Sequence, residues 1–383
     1  MVKIYIGLDV HKRSVFLTYL NEDGSVNEQY DFANNEEQWN EFKDRYLSMR
    51  PQIALEISTS GKYVARKLRD MGFSVHLADP EQMAEIYKTA KKNDREDSYK
   101  LAKRLRMHEL PEVYLPSSES DALRSVVRYR RSIGQDITVV KNRSHAILTA
   151  YGIIIDKSDI FGVKGIKAIR DNLQLLREAD RIVLSDLLSR LTDLMQRADR
   201  IEDEMSRAAE NNGNIRLLMT IPGINVYSAT AIMSEIDDIS RFKRKESLAA
   251  YAGLIPRLDE SSNRRILGHI SKHAPSMLRF VLVNCAHTVI KYSRRFRSKY
   301  NSLVKRLGKN RSIVAIARIL AETIHTMLVN RKRFIDEIDL LTERKMKAMS
   351  ARARKSAMNT DIEMKLKVLR EERIRHMSDQ PFS

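Results

Sequence analysis

The sequence predicts an α/β N-terminal domain, then two long helices, and then a mostly helical C-terminal domain. Alternating apolar residues mark short strands before about residue 80. Apolar residues at heptad spacing begin at Leu184, and helical periodicity dominates the last third of the chain. A length of 383 residues has room for two or three domains, and 43% hydrophobic residues exclude a wholly disordered protein.

The first domain, residues 1–112, is predicted to hold three strands joined by hairpins and then helices that alternate with two further strands. The predicted strands cover 3–10, 14–20, 26–32, 53–57 and 74–78, and the predicted helices cover 36–47, a stretch that begins at 61, and 95–106. This order is typical of an RNase-H-like domain. In that topology the first and fourth strands lie side by side, and the last helix packs across their ends.

Residues 113–210 are predicted to form a helical arm of two long antiparallel helices. Between 184 and 208 the apolar positions follow a 3-4 spacing for more than three heptads, as in a coiled-coil seam. A looser seam covers 123–151. Two ordinary core helices are the alternative.

Residues 211–335 are predicted to form a second globular domain. Ile-Pro-Gly-Ile at 221–224, followed by a helix over 228–236, indicates a helix–hairpin–helix that can present backbone N–H groups to a phosphate. The Gly-, Pro- and Ser-containing stretch 251–272 is predicted to be a loop region, with helices over 277–290 and 312–328. The remaining tail, 336–383, is interpreted as a frayed helix or a disordered arm.

The charge is strongly asymmetric along the chain. Residues 241–383 hold 33 basic and 13 acidic side chains, whereas residues 1–240 have a net charge of only −2. Such asymmetry favours a polyanionic partner, since neutralised phosphates release counterions; a solvated basic face is the alternative. A single cysteine, Cys285, excludes an intramolecular disulfide and a CxxC metal site. The chain lacks an uninterrupted apolar run of about 18 residues and a signal-peptide pattern, so we expect a cytosolic protein that contacts no membrane.

Four carboxylates are candidates for a metal site. Asp9 and Glu56 lie within or at the end of apolar strands, and Asp94 and Asp97 share one face at a helix start. In the RNase-H-like topology these four acids would converge, and they would repel one another unless divalent cations neutralised them. Mg²⁺ prefers oxygen ligands and suits two-metal phosphodiester chemistry. Asp94 and Asp97 could instead only stabilise a helix N-terminus.

The stretch 251–272 holds a second candidate constellation, in which serines stand among basic residues. A serine that attacks a phosphodiester needs nearby positive charge to balance the phosphorane. The residues alone favour a phosphate contact over a nucleophile. The serines are Ser261 and Ser262, and the basic residues are Arg257, Arg264, Arg265 and Lys272.

An ordered run of motifs from residue 3 to about 335 resembles the insertion-sequence-110 family of transposases. In the first part these motifs are GLDVHK at 7–12, the stretch 56–63, DP at 79–80, NDREDSYKLA at 93–102, VYLP at 113–116 and KNR…YGI at 141–153. In the second part they are LMTIPGINVYSATAIMSEI at 218–236, FKRKESLAAYAGLIPR at 242–257, ESS…GHISKH at 260–273 and the stretch that ends at Arg279.

This resemblance implies a RuvC-like domain whose DEDD tetrad, matched here by Asp9, Glu56, Asp94 and Asp97, binds Mg²⁺. It also implies a transposase domain with a nucleophilic serine. Counting forward from the family's proline, Pro256, and back from its glycine, Gly268, selects Ser261. The nucleic-acid contacts are expected at Arg257, Arg264, Arg265, Lys272 and Arg279.

The sequence departs from the family pattern at several positions. Ser262-Asn263 replaces the usual glycines, which leaves Ser262 as a second candidate nucleophile. Asn93 stands where the family commonly has Thr, and Ser98 where it has Ala. The chain also continues beyond about residue 335, where the resemblance ends.

The resemblance further implies a recombinase that excises and inserts its element, guided by a structured non-coding RNA that pairs with donor and target DNA. We expect a homo-oligomer, a dimer or a tetramer, in the cytoplasm of a prokaryote and associated with the nucleoid. Two alternatives remain open: a metal-only nuclease similar to a junction resolvase, and a non-catalytic nucleic-acid-binding scaffold.

Overall fold

The computed structural model describes residues 3–86, 93–261, 264–270 and 274–378. The chain divides into two compact units, Met1–Pro116 and Ser117–Ser383. The division of the second unit into an arm, a transposase domain and a tail stays a prediction.

The first unit is built on a mixed sheet in which the predicted strands are confirmed. The strands are β1 (Tyr5–Val10), β2 (Ser14–Leu20), β3 (Val26–Ala33), β4 (Gln52–Glu56) and β5 (Ser74–Ala78). Their order is β3-β2-β1-β4-β5. The β1–β2 and β2–β3 pairs are antiparallel, whereas β1–β4 and β4–β5 are parallel. The predicted neighbourhood of the first and fourth strands is therefore present.

Helices cover both faces of this sheet. They are α1 (Glu36–Tyr46), α2 (Thr59–Asp70), α3 (Pro80–Ile86) and α4 (Asp94–Arg106). Because side chains alternate along a strand, Ile6 and Leu8 of β1 join the core that contains the apolar residues of α1 and α2. Tyr5 points to the opposite face and packs in a cluster with α4 residues. Gly7 and Asp9 share the face of Tyr5, which places Asp9 on the α4 side.

The second unit is mostly helical. Its first elements are α5 (Ser118–Ala150), α6 (Val163–Asp171), α7 (Glu178–Glu210), α8 (Gly213–Leu218), α9 (Val226–Ile236) and α10 (Lys245–Tyr251). They are followed by β6 (Pro256–Ser261), β7 (Arg264–Ile270), α11 (Ser276–Tyr292), α12 (Arg294–Asn330) and α13 (Asp339–Ser378). A large core joins residues of α8 to α12.

The two long helices of the predicted arm are present and run antiparallel. Arg130 of α5 hydrogen-bonds Glu202 of α7 at 2.7 Å, and Tyr151, which follows α5, donates to Asp180 near the start of α7. The predicted seam of α7 is buried from Leu184 to Ala198, but further along Ala209 is buried and Ala208 is exposed. The buried face thus drifts from the heptad positions.

The tail forms helix α13, which packs along α7. The helical interpretation is confirmed, and the disordered alternative is wrong for residues 339–378. The buried face of α13 includes Thr342, Met349, Ala353 and Ser356, half of which are polar. Arg352 contacts Asp203 of α7 at 2.9 Å. A contact made by hydroxyl groups and ion pairs produces no apolar seam, which explains why the sequence did not indicate it.

The expectation of a loop over 251–272 is wrong for most of that stretch. Backbone pairing joins β6 and β7 antiparallel, with Leu258 opposite Leu267 and Ser261 opposite Arg264. The Gly, Pro and Ser residues obscured the strands in the sequence. Ser262 and Asn263, which separate the two strands in sequence, lie outside the described residues.

Helix α12 is long and apolar enough to cross a membrane, which a search for uninterrupted apolar runs does not reveal. Its most apolar window has a mean hydropathy of 1.5 and is 56% buried inside the unit. Ile316, Leu320 and Ile324 are fully buried there. A mostly buried core helix passes the same test, so this finding is weak support for a membrane span.

Candidate active site

Asp9 and Glu56 lie at the ends of adjacent parallel strands. The register of β1 and β4 pairs Gly7 with Ala54 and Leu8 with Leu55, the residues directly before the two acids. Glu56 shares the strand face of Ala54, which packs in the cluster on the α4 side of the sheet. The strand order and the period-2 alternation therefore direct both carboxylates to the side of α4.

The close approach of α4 to β1 depends on Gly7. A Cβ atom on Gly7 would lie 2.0 Å from the carbonyl oxygen of Ser98 and 2.6 Å from the backbone nitrogen of Ala102. Beside this contact, the buried hydroxyls of Thr18 and Ser98 are hydrogen-bonded at 2.7 Å. Glycine at position 7 thus lets the backbone of α4 press directly onto the strand that carries Asp9.

Asp94 occupies the first position of α4. The Asn93 side chain caps this helix by accepting a hydrogen bond from the Arg95 N–H at 3.1 Å. A carboxylate at a helix N-terminus is stabilised by the helix dipole. Local sequence thus begins the helix at Asp94, while packing on Gly7 brings that end of the helix to the sheet edge.

Asp9, His11 and Asp94 form a cluster whose ligand atoms all lie within 4.8 Å of one another. The Nε2 atom of His11 is 3.3 Å from Oδ2 of Asp9 and 3.3 Å from Oδ2 of Asp94. The Asp94 and His11 side chains are about half exposed, and Asp9 is more buried. A substrate in solution can therefore reach the cluster.

The other two acids of the predicted tetrad, Glu56 and Asp97, are not members of this cluster. Asp97 lies one helical turn after Asp94 and accepts a hydrogen bond from Lys100 at 3.1 Å. Glu56 follows the residue that pairs with Leu8. The structure therefore brings Asp9 and Asp94 together directly and places Glu56 and Asp97 on adjoining positions of the strand and the helix.

His11 is the functional candidate that the sequence analysis missed. It lies in the turn between β1 and β2, where its N–H donates to the Ser14 carbonyl at 2.9 Å. The Asn34 amide donates to the His11 carbonyl and accepts from the indole of buried Trp39, both at 2.9 Å. The available signal was the Asp-x-His spacing inside GLDVHK at 7–12, since a carboxylate and an imidazole so close in sequence can share a metal.

The donor atoms of this cluster fit a divalent cation. Two carboxylates and one imidazole within 4.8 Å offer a set that holds several divalent metals, and a set with a nitrogen donor suits Mn²⁺ or Zn²⁺ better than an all-oxygen site does.

The structure describes the backbone at most of the predicted serine and basic positions. Ser261 ends β6, Arg257 lies in the same strand, and Arg264 and Arg265 open β7. Arg279 lies in α11 and is half-buried. Ser262 and Lys272 fall outside the described residues.

Two family models match separate parts of the chain. A model described as transposase, of the DEDD type of IS110, matches residues 6–153. The model of the transposase IS116/IS110/IS902 family matches residues 215–301. The first match contains the four acids and His11, and the second contains Ser261 and the basic residues around it.

Curated relatives carry transposase names. The transposase for insertion sequence element IS1111A of Coxiella burnetii is 25% identical over 294 residues, 74% of this chain and 79% of that protein. A probable family 20 transposase of Pseudomonas aeruginosa is 26% identical over 285 residues, 72% of this chain and 83% of that protein. The transposase for insertion sequence element IS1533 of Leptospira borgpetersenii is 22% identical over 343 residues, 86% of this chain and 96% of that protein. Both family matches and the names of these relatives agree, and the chain belongs to the IS110 family of DNA transposases.

Proposed function

We propose that this transposase cuts and rejoins DNA strands through a serine nucleophile, Ser261, together with a divalent-metal site built on Asp9, Glu56, Asp94 and Asp97. One observation carries the proposal: Asp9 and Asp94 lie in one cluster of possible metal ligands. Asp9 comes from the end of a strand and Asp94 from the start of a helix, and the two are far apart in sequence. The sheet order β3-β2-β1-β4-β5 supports a RuvC-like assignment for the first unit.

Asp9 and Asp94 would hold the ion, with Glu56 as the adjacent strand-end carboxylate and Asp97 as the next acid along α4. A bound Mg²⁺ supplies Lewis-acid stabilisation of charge on a phosphoryl group. Other residues position these carboxylates whether or not an ion is bound. Gly7 sets the distance between α4 and β1, and Asn93 fixes the residue at which α4 begins. Lys100 holds the Asp97 carboxylate in one position by a 3.1 Å hydrogen bond.

Strand transfer would proceed by substitution at phosphorus. The Ser261 oxygen forms a bond to the phosphorus of a DNA phosphodiester, and the bond from phosphorus to the departing deoxyribose oxygen breaks. That oxygen takes up the proton that the serine loses. Cations near the phosphate stabilise the charge that develops on it, a role we assign to Arg257, Arg264, Arg265, Lys272 and Arg279.

The partners follow from the same proposal. The excess of basic residues after position 240 supports binding to donor and target DNA and to a structured guide RNA. The long antiparallel helices α5 and α7 would serve as a coiled-coil arm in a dimer or tetramer, since strand exchange between two DNAs needs at least two active sites. The enzyme would act in the nucleoid of a prokaryotic cell, and the metal site of one subunit would serve the serine of another.

The test is a search for a covalent protein–DNA adduct. A stalled reaction that is denatured should leave labelled DNA attached to the polypeptide, and mass spectrometry should place the adduct on the peptide that contains Ser261. Ser261→Ala should abolish the adduct and retain DNA binding, whereas the matched control Ser262→Ala should retain most of the adduct. Completed strand exchange without any adduct would refute the serine mechanism.

A metal-only nuclease is the second candidate. It is favoured by one observation, that the Asp9, His11 and Asp94 cluster is assembled entirely within the first unit. This mechanism expects free DNA ends and full activity in Ser261→Ala.

A further inference from the structure

The turn that joins α8 to α9, residues 219–225, surrounds the ammonium group of a distant lysine. Lys345 of α13 donates from Nζ to the backbone carbonyls of Met219, Ile221 and Ile224, at 2.9 Å to Ile221 and 3.0 Å to Ile224. The three residues are almost fully buried. Three carbonyl oxygens that converge on one positive charge are the ligand arrangement by which proteins replace the hydration shell of a cation.

The shape of the α8–α9 turn depends on a glycine and on contacts with residues distant in sequence. Gly223 has a φ of +92°, and a Cβ atom there would lie 2.6 Å from the Cβ atom of Thr288 in α11. The Thr220 hydroxyl accepts a hydrogen bond from the Phe334 N–H at 3.1 Å. The glycine and these contacts thus direct the carbonyl oxygens of the turn into the protein interior. A buried carbonyl oxygen without a hydrogen-bond donor would destabilise the fold.

Burial favours the neutral form of Lys345 and lowers the pKa of its ammonium to about 8. Nearby Glu337 and Cys285 oppose that shift. Because burial disfavours the charge, the three hydrogen bonds to backbone carbonyls are what hold the ammonium at this position.

The α8–α9 turn leads directly into a groove that suits a nucleic-acid strand. The groove has a volume of about 640 Å³ and is lined in part by Arg131, Asn225, Tyr227 and Phe280. The guanidinium of Arg131 lies 4.3 Å from the centre of the Phe280 ring, and that ring is 42% exposed. Aromatic rings stack on bases, and arginine pairs with phosphates.

We propose that Met219, Ile221 and Ile224 form a monovalent-cation site in which Lys345 supplies the cation, and that this site shapes the α8–α9 turn for contact with DNA in the adjoining groove. The contact with DNA rests on the proposed function, whereas the cation site does not. When the ammonium is removed, a K⁺ ion takes its place among the same carbonyls.

The experiment compares the full-length parent with Lys345→Met and with Lys347→Met, which removes an exposed lysine from the same helix. Each protein is assayed in KCl and in tetramethylammonium chloride at equal ionic strength, because ionic strength alone changes DNA affinity. The bulky organic cation cannot enter a site the size of an ammonium group. Melting temperature without DNA is the first measurement, and affinity for a labelled DNA duplex is the second.

We expect Lys345→Met to melt at least about 2 °C higher in KCl than in the organic salt, since the ion satisfies carbonyls that otherwise lose their partner. Its DNA affinity should fall about tenfold in the organic salt and recover most of that loss in KCl. The parent and Lys347→Met should behave alike in both salts.

The outcomes separate the two parts of the proposal. Equal melting temperatures of Lys345→Met in the two salts would overturn the cation site. A K⁺-dependent melting temperature with unchanged DNA affinity would overturn the role of the turn in DNA binding. Absence of DNA binding by the parent in either salt would instead refute the proposed function, and the melting comparison would still decide the cation site.

Discussion

Replacing Gly7 by alanine should disable the metal site while leaving all of its possible ligands in the chain. The added Cβ atom would meet the Ser98 carbonyl oxygen at 2.0 Å, and ordinary contact begins near 3.4 Å. Helix α4 must therefore move outward by about 1.4 Å, because backbone atoms cannot rotate away as a side chain can. This shift carries Asp94 away from Asp9.

The expected loss follows from that displacement. A misplacement of about 1 Å can cost a catalytic site about 100-fold in rate, so we expect at least this loss in recombination by Gly7→Ala. Overpacking should also cost about 1–3 kcal/mol of stability. Recombination of a plasmid that carries the element measures the first effect, and urea unfolding measures the second. Added Mn²⁺ or Mg²⁺ should raise the melting temperature of the parent clearly and that of Gly7→Ala little.

Two controls isolate the position of α4. Ser98→Ala removes the hydrogen bond to Thr18 without adding an atom under the helix, so it should lose about 1 kcal/mol and keep its activity. Gly134→Ala, in α5, adds a Cβ atom whose nearest neighbour is 3.6 Å away, and should gain about 0.5–1 kcal/mol of stability. Full activity and an unchanged metal response in folded Gly7→Ala would refute the reasoning.

Three further predictions concern the second unit. Burial raises the pKa of the Cys285 thiol to about 11, so a thiol reagent at pH 8 should label the native protein slowly and the urea-unfolded protein fast; rapid native labelling would contradict its burial. The Asp203 side chain is 3% exposed and forms ion pairs with two basic side chains of α13 at 2.8 and 2.9 Å. Asp203→Ala should therefore lower the free energy of unfolding by about 1–3 kcal/mol and make α13 accessible to a protease. The control is Asp193→Ala, which should change neither, because the ion pair of Asp193 is exposed. The pKa of Lys345 lies near 8 in the folded protein and near 10.4 in the unfolded chain. Between these pH values the unfolded chain therefore binds more protons than the folded protein does. The free energy of unfolding of the parent should then rise from pH 8 to pH 10 relative to that of Lys345→Met. A constant difference between the two proteins would contradict this pKa.

The carboxylate arrangement shows which features of the candidate site the sequence alone predicts. Period-2 alternation and element order were sufficient to predict that Asp9 and Glu56 lie on neighbouring strands, and the observed register confirms it. Glu56, which was predicted in the middle of its strand, is the last residue of β4. The sequence analysis missed His11 because its place in the cluster depends on a turn that brings it close to Asp94. No periodic pattern in the sequence describes such a turn. Residues 251–272 were assigned to a loop because turn-forming residues outweighed a weak strand pattern.

By itself, the sequence determined the elements whose cause is local: the strands of the first sheet, helix α4 to within one residue of its start, the long helices α5 and α7, and the basic character of the last third. Only the tertiary structure decided the close approach of α4 to Gly7, the packing of α13 on α7, and the carbonyl site around Lys345. The physical reason is that these contacts join residues distant in sequence through backbone atoms, hydroxyls and ion pairs. Such groups leave no period in the sequence, whereas burial of apolar side chains does.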